Sequence, residues 1–135
     1  MKNIVFILII LFAAIPTLKA DVKKWKLEQI GFLNIDRNEK DYGGFSGLII
    51  RNAGTEALIV TDKSFFFVLE LRRDDNDILT GYSVIKKGRI LSSKGEHLNG
   101  RNTDSESIAM DANNNYYISF ESNHRIMMHT EVEGK

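Results

Sequence analysis

From Trp25 onward the apolar residues come in short clusters separated by Gly, Asn and Asp, and no stretch sustains the stripe of an amphipathic helix. This pattern predicts an all-β chain. The candidate strands are Trp25–Asn34, Gly47–Arg51, Ala57–Thr61, Phe65–Leu71, Gly81–Lys86, Ser107–Met110, Tyr116–Phe120 and Arg125–Glu131. Asn52-Ala53-Gly54-Thr55, Asp74-Asp75-Asn76-Asp77 and Ala112-Asn113-Asn114-Asn115 are turn clusters, because Asn, Asp and Gly accept positive φ and bond to their own backbone. The single proline is Pro16, and no linker composition divides the chain.

The chain also resembles itself. Leu48-Ile49-Ile50, the turn at 52–55, Leu58-Ile59-Val60, Thr61-Asp62 and Phe65–Leu71 recur loosely as Ile108-Ala109-Met110, the turn at 112–115, Tyr117-Ile118-Ser119, Phe120-Glu121 and Arg125–Glu131, at an offset of 59–60 residues. A hairpin plus a third strand, repeated, is the pattern of a β-propeller blade, with Gly81–Lys86 as the fourth strand of the first copy. Closure needs about four to eight blades. The expectation is therefore a partial β-propeller of about two four-stranded blades, forming the N-terminal fragment of a longer domain. Missing C-terminal blades or self-association would then cover the apolar faces at Phe65-Phe66-Phe67 and Tyr116-Tyr117. A small β-sandwich of the same strands is the alternative.

The first twenty residues follow another rule. Lys2 precedes the apolar run Ile4–Ile15, Pro16 breaks it, and Ala20 offers a small residue before Asp21. A bilayer-spanning helix needs about 20 apolar residues, whereas export signals carry cores of roughly 7–15. Residues 1–20 are expected to be a signal peptide and 21–135 an exported domain, periplasmic or secreted, with no stable membrane anchor. A buried N-terminal helix is the competing reading.

Composition narrows the chemistry. The 135 residues suit a single domain, and 18 basic residues balance 18 acidic ones, so no global field draws in nucleic acid. With no cysteine and three scattered histidines, thiolate chemistry is excluded and an imidazole-built metal site is disfavoured. Oxygen ligands remain. Asp62 and Glu121 hold equivalent places in the two repeats, just past the second strand, and carboxylates gathered on one face suit a hard divalent cation such as Ca²⁺. Asp104 and Glu106, at i and i+2, point to one side of an extended segment, where they can share a cation or a proton and act as general acid or base. Turn capping by these acids is the structural reading of the same residues.

Other motifs carry less. Gly43-Gly44-Phe45-Ser46-Gly47 departs from the nucleophile elbow, since Leu48 stands where glycine is needed and no helix follows. Asp111-Ala112-Asn113-Asn114-Asn115 opens like a calcium loop, but Tyr116 replaces the glycine and Ser122 the closing Glu, so a hairpin turn explains it better. Lys86-Lys87, Arg89 and His124-Arg125 are cations available to a phosphate.

Tyr42-Gly43-Gly44-Phe45-Ser46-Gly47-Leu48, Ile59-Val60-Thr61-Asp62, Asp104-Ser105-Glu106-Ser107-Ile108-Ala109, Ile118-Ser119-Phe120-Glu121 and Arg125-Ile126 together resemble the phytase-like family, the family with esterase-like activity of phytase, over residues 25–135. Thr61 and Ser107 depart from the Ser and Gly usual there, and every carboxylate is kept. The resemblance implies an exported, propeller-like domain that hydrolyses small phosphoesters or esters. It also implies that Asp62, Asp104, Glu106 and Glu121 are the active acids. The rival function is a non-catalytic propeller that binds partners in the cell envelope and uses the same acids for structural calcium.

Overall fold

The computed structural model describes residues 25–35 and 43–132, so the expected signal segment lies outside the described residues. Seven strands run in chain order: β1 Phe45–Arg51, β2 Glu56–Thr61, β3 Phe65–Arg73, β4 Leu79–Arg89, β5 Ser105–Met110, β6 Tyr116–Phe120 and β7 Arg125–His129. They make two antiparallel meanders, β1-β2-β3-β4 and β5-β6-β7, and no α-helix occurs among the described residues. The all-β expectation holds, and the repeat is visible as two sheets of four and three strands.

The central strands explain their own sequences. Leu58, Val60, Phe66 and Val68 face the second sheet and meet Ile108, Tyr116, Ile118 and Phe120 in one core. Ala57, Ile59, Phe67 and Leu69 face the other way and form a second core, against which Leu33 and Ile35 pack. Burial on both faces is why β2 and β3 read as unbroken apolar runs instead of alternating.

Several strand ends shift by one or two residues from the sequence expectation, and two departures are larger. Strand β4 extends beyond Gly81–Lys86 because β3 pairs from Phe65↔Arg89 through Arg73↔Leu79, and this ladder carries polar residues along with it. Trp25–Asn34 is not a strand: it has no sheet ladder, and Trp25, Leu27, Ile30 and Phe32 are 73–100% exposed. Alternation alone does not make a strand without a neighbouring edge to supply hydrogen bonds.

The repeat is accurate at the level of register. The ladder Phe45↔Thr61 skips to Gly47↔Val60, and Ser105↔Phe120 skips to Ser107↔Ser119, so both meanders open on a bulge, at Ser46 and at Glu106. The first residue beyond the second strand bonds back identically in each: Asp62 N–H donates to Gly44 O at 2.8 Å and Glu121 N–H to Asp104 O at 2.9 Å.

The sheets meet closely at β1 and β5. A Cβ on Gly47 would stand 2.8 Å from Ile108 N and 2.9 Å from Val60 Cγ2. Its repeat partner, Ser107, lies on the outward side of the second sheet and has room for a hydroxyl, which bonds Ser119 Oγ at 2.8 Å. Gly47→Ala is therefore expected to destabilise the protein by about 1–3 kcal/mol, as overpacking does. Ser107→Ala should change stability by less than about 0.5 kcal/mol, as surface substitutions do. Urea unfolding of both variants measures the contrast.

Candidate metal centre

The segment 103–106 is held by hydroxyl groups. Ser105 is fully buried, and its Oγ donates to Thr61 O across the sheet interface at 2.5 Å. Its carbonyl accepts Ser46 Oγ at 2.6 Å, while Ser64 Oγ donates to Thr103 O at 2.5 Å. With Ser105 turned inward, its neighbours Asp104 and Glu106 project outward, and the bulge at Glu106 lets both carboxylates converge.

Glu121 arrives on the same spot because its N–H is bonded to Asp104 O. One carboxylate oxygen each from Asp104, Glu106 and Glu121 lie within 4.8 Å of one another. Ser122 Oγ donates to Asp104 Oδ2 and sets that side chain's angle. Asp62, the fourth acid expected at the site, is not part of this trio. Its carboxylate lies flat against Gly44, where a Cβ would overlap it, and its Oδ1 is buried with no hydrogen-bond partner. It is near enough for its charge to act on Glu106.

Glu106 registers the crowding. Loss of surrounding water holds its carboxyl above the ordinary value of 4.5, and the charges of Glu121, Asp104 and Asp62 and a hydrogen bond with Asp104 push the same way. These donors fit a hard divalent cation. All are carboxylate oxygens, and none is nitrogen or sulfur. A cation there would relieve the mutual repulsion of the three carboxylates.

The remaining motifs resolve into structure. Ser46 Oγ is spent on Ser105 O, which gives it a joining role. Asp111 caps a hairpin turn: Oδ1 accepts from the N–H groups of Asn113 at 2.8 Å and Asn115 at 2.9 Å. The Asn115 amide and Tyr117 hydroxyl bonds help hold its carboxyl below the usual range. Asp74 Oδ1 does the same for Asn76 and Ile78. Arg125 lies over the Phe120 ring and donates to Asn102 O and Asn123 O, and Arg89 lies over Phe65, so neither points at the acids. Sequence reasoning missed Gly44 as the seat of Asp62, and Ser105 and Ser122 as the groups that aim Asp104. A serine between two acids was the available signal for Ser105; Ser122 had none.

The raised Glu106 value has a direction in pH. The folded chain holds this proton more tightly than the unfolded chain, so the stabilisation is complete below 4.5 and is lost as pH rises through the folded value. In metal-free buffer, Glu106→Gln is expected to be more stable than the parent at about pH 7, with the difference shrinking toward about pH 4. Urea unfolding at both values reads it.

A family model described as "Phytase-like: Esterase-like activity of phytase" matches residues 40–135, a span that contains both sheets and all four acids. No curated protein and no solved structure matches the chain. The match over residues 40–135, most of the chain, shows that this chain belongs to the phytase-like family.

Proposed function

We propose that the chain is the N-terminal, blade-forming part of an exported, metal-assisted hydrolase of small phosphoesters. The observation that carries this reading is the convergence of the Asp104, Glu106 and Glu121 carboxylates. Membership of a family described by esterase-like activity of phytase supports hydrolysis, and the apolar run Ile4–Ile15 supports export.

Asp104, Glu106 and Glu121 would hold the cation, with Asp62 completing its oxygen shell. Such an ion polarises a phosphoryl oxygen and supplies hydroxide from bound water near neutral pH. The chain's own residues divide the remaining work. Asp104, fixed by Ser122, is the rigid ligand. Glu106 is solvent-exposed, which leaves it within reach of substrate and water at the ion.

Calorimetric titration with Ca²⁺ and Mg²⁺ tests the site. Asp104→Asn and Glu106→Gln are each expected to weaken binding about tenfold or more, with the far-UV circular dichroism unchanged. Gly44→Ala, at φ +62° and against Asp62, should also weaken it. Hydrolysis of p-nitrophenyl phosphate by the complete protein should fall in the same variants. Cation binding that raises Tm without cleavage of any phosphoester, with each divalent ion tried, would replace this reading with the envelope-binding module that uses structural calcium.

A further inference from the structure

The loop 90–104 joins β4 to β5 and carries Asn99-Gly100, the one Asn-Gly pair in the 135 residues. Asparagine is thermolabile, because the backbone nitrogen that follows it can attack its side-chain carbonyl. A side chain on the following residue hinders that approach, and glycine has none.

The fold leaves both reacting groups free. Asn99 and Gly100 are exposed. Among the described residues the Asn99 side-chain amide makes no hydrogen bond and the Gly100 N–H donates to no group. Beyond its chain neighbours, no atom lies within 4 Å of the place a Gly100 Cβ would take. Other asparagines are engaged: the amides of Asn52, Asn115 and Asn123 donate to Glu56, Asp111 and Asn102, and Ala53, Tyr116 and His124 follow them. Asn99 is extended, at φ −145° and ψ 161°, so closure of a ring requires a turn about its Cα–C bond. The restraint on that turn is one backbone bond, from Asn102 N–H to Asn99 O at 3.1 Å.

We propose that Asn99 is a site of spontaneous modification, converted in the folded protein to isoaspartate and aspartate. Gly100 N gives its proton to water and bonds to Asn99 Cγ. The bond from Cγ to the side-chain nitrogen breaks, ammonia leaves, and a succinimide ring remains. Water then opens the ring at either carbonyl. Attack at Cγ restores the normal backbone with aspartate in place of Asn99. Attack at the backbone carbonyl carbon routes the chain through Cγ, lengthens it by one carbon and leaves the former carbonyl as a carboxylate. No oxidant or reductant takes part, and either product adds a negative charge. The proposal is independent of the metal centre.

The isoaspartyl form alters what the loop holds. Asn99 O, the acceptor of the Asn102 N–H, is the carbonyl that is converted. The residues that follow reach the second sheet: Arg101 donates to Ser122 O at 3.0 Å, and Asn102 accepts from Arg125 and Asn123. A longer backbone at position 99 loosens this docking.

The protein as the cell makes it, kept folded in mildly alkaline buffer and sampled over days, tests the proposal. Trypsin cuts after Lys94 and Arg101, so Asn99 falls in peptide 95–101, which holds no other amide side chain. That peptide should gain, with time, the mass change of an NH₂ replaced by OH and divide into two chromatographic forms, one of them labelled by an isoaspartyl methyltransferase. Hydrogen exchange at Asn102 should be faster in the aged protein. Gly100→Ala should slow the conversion about tenfold or more. Asn99→Gln, at an exposed side chain without bonds, should stop it and leave the far-UV circular dichroism unchanged. A peptide 95–101 that stays unmodified in the folded protein overturns the proposal, and its conversion in urea would then show that the turn keeps Gly100 N away from Asn99. Conversion of Gly100→Ala at the parent rate overturns it as well.

Discussion

Three hydroxyl-to-carbonyl hydrogen bonds around residues 103–105 hold the second sheet to the first, and the placement of every acid in the centre depends on them. Ser105 reaches Thr61 O, Ser46 reaches Ser105 O, and Ser64 reaches Thr103 O. Ser105 and Ser64 are buried, where leaving a carbonyl unpaired costs about 1–3 kcal/mol, and Ser46 is part-buried. Apolar packing between the sheets would tolerate small slides; these directional bonds do not. Their effect is to fix the backbone on both sides of Asp104, so that the carboxylates meet instead of fanning into solvent.

The opposite end of the interface is secured differently. Arg51 pairs with Glu56 within the first sheet and donates to Tyr116 Oη of the second at 2.6 Å. A guanidinium with several fixed donors can bridge two sheets in this way, where a lysine would offer only a point charge. Between the two polar ends lies the shared core of Leu58, Val60, Ile118 and Phe120. The sheets are joined by apolar area in the middle and oriented by polar bonds at the rims.

The repeat is conserved in backbone and altered in chemistry. Both meanders begin with a bulge and return a backbone N–H to the residue two before it, yet the bulge residue is Ser46 in one and Glu106 in the other, and the returned bond ends on Gly44 in one and Asp104 in the other. The first copy spends its polar groups on holding the interface. The second divides them between the interface, through Ser105, and charge. Gly44, lacking a side chain, makes room for Asp62, whereas Asp104 contributes a carboxylate beside Glu121.

Much of this was legible in the order of residues. Apolar clusters set off by Asn, Asp and Gly determined the strands from β1 to β7, because local turn chemistry and burial act over a few residues, and the offset of 59–60 placed Asp62 and Glu121 at matching strand ends. The acids Asp104 and Glu106 were singled out by spacing alone. What the order of residues left open depends on partners distant in the chain. Trp25–Asn34 has the alternation of a strand but no edge to complete it, and β4 runs past its apolar stretch because β3 offers it a full ladder. The bulge at Glu106, the Gly44 seat for Asp62 and the Ser122 bond to Asp104 exist only where two strands are set in register. Sequence determined which groups are acidic and where the chain turns; tertiary structure decided which of them meet, because convergence requires hydrogen bonds between residues tens of positions apart.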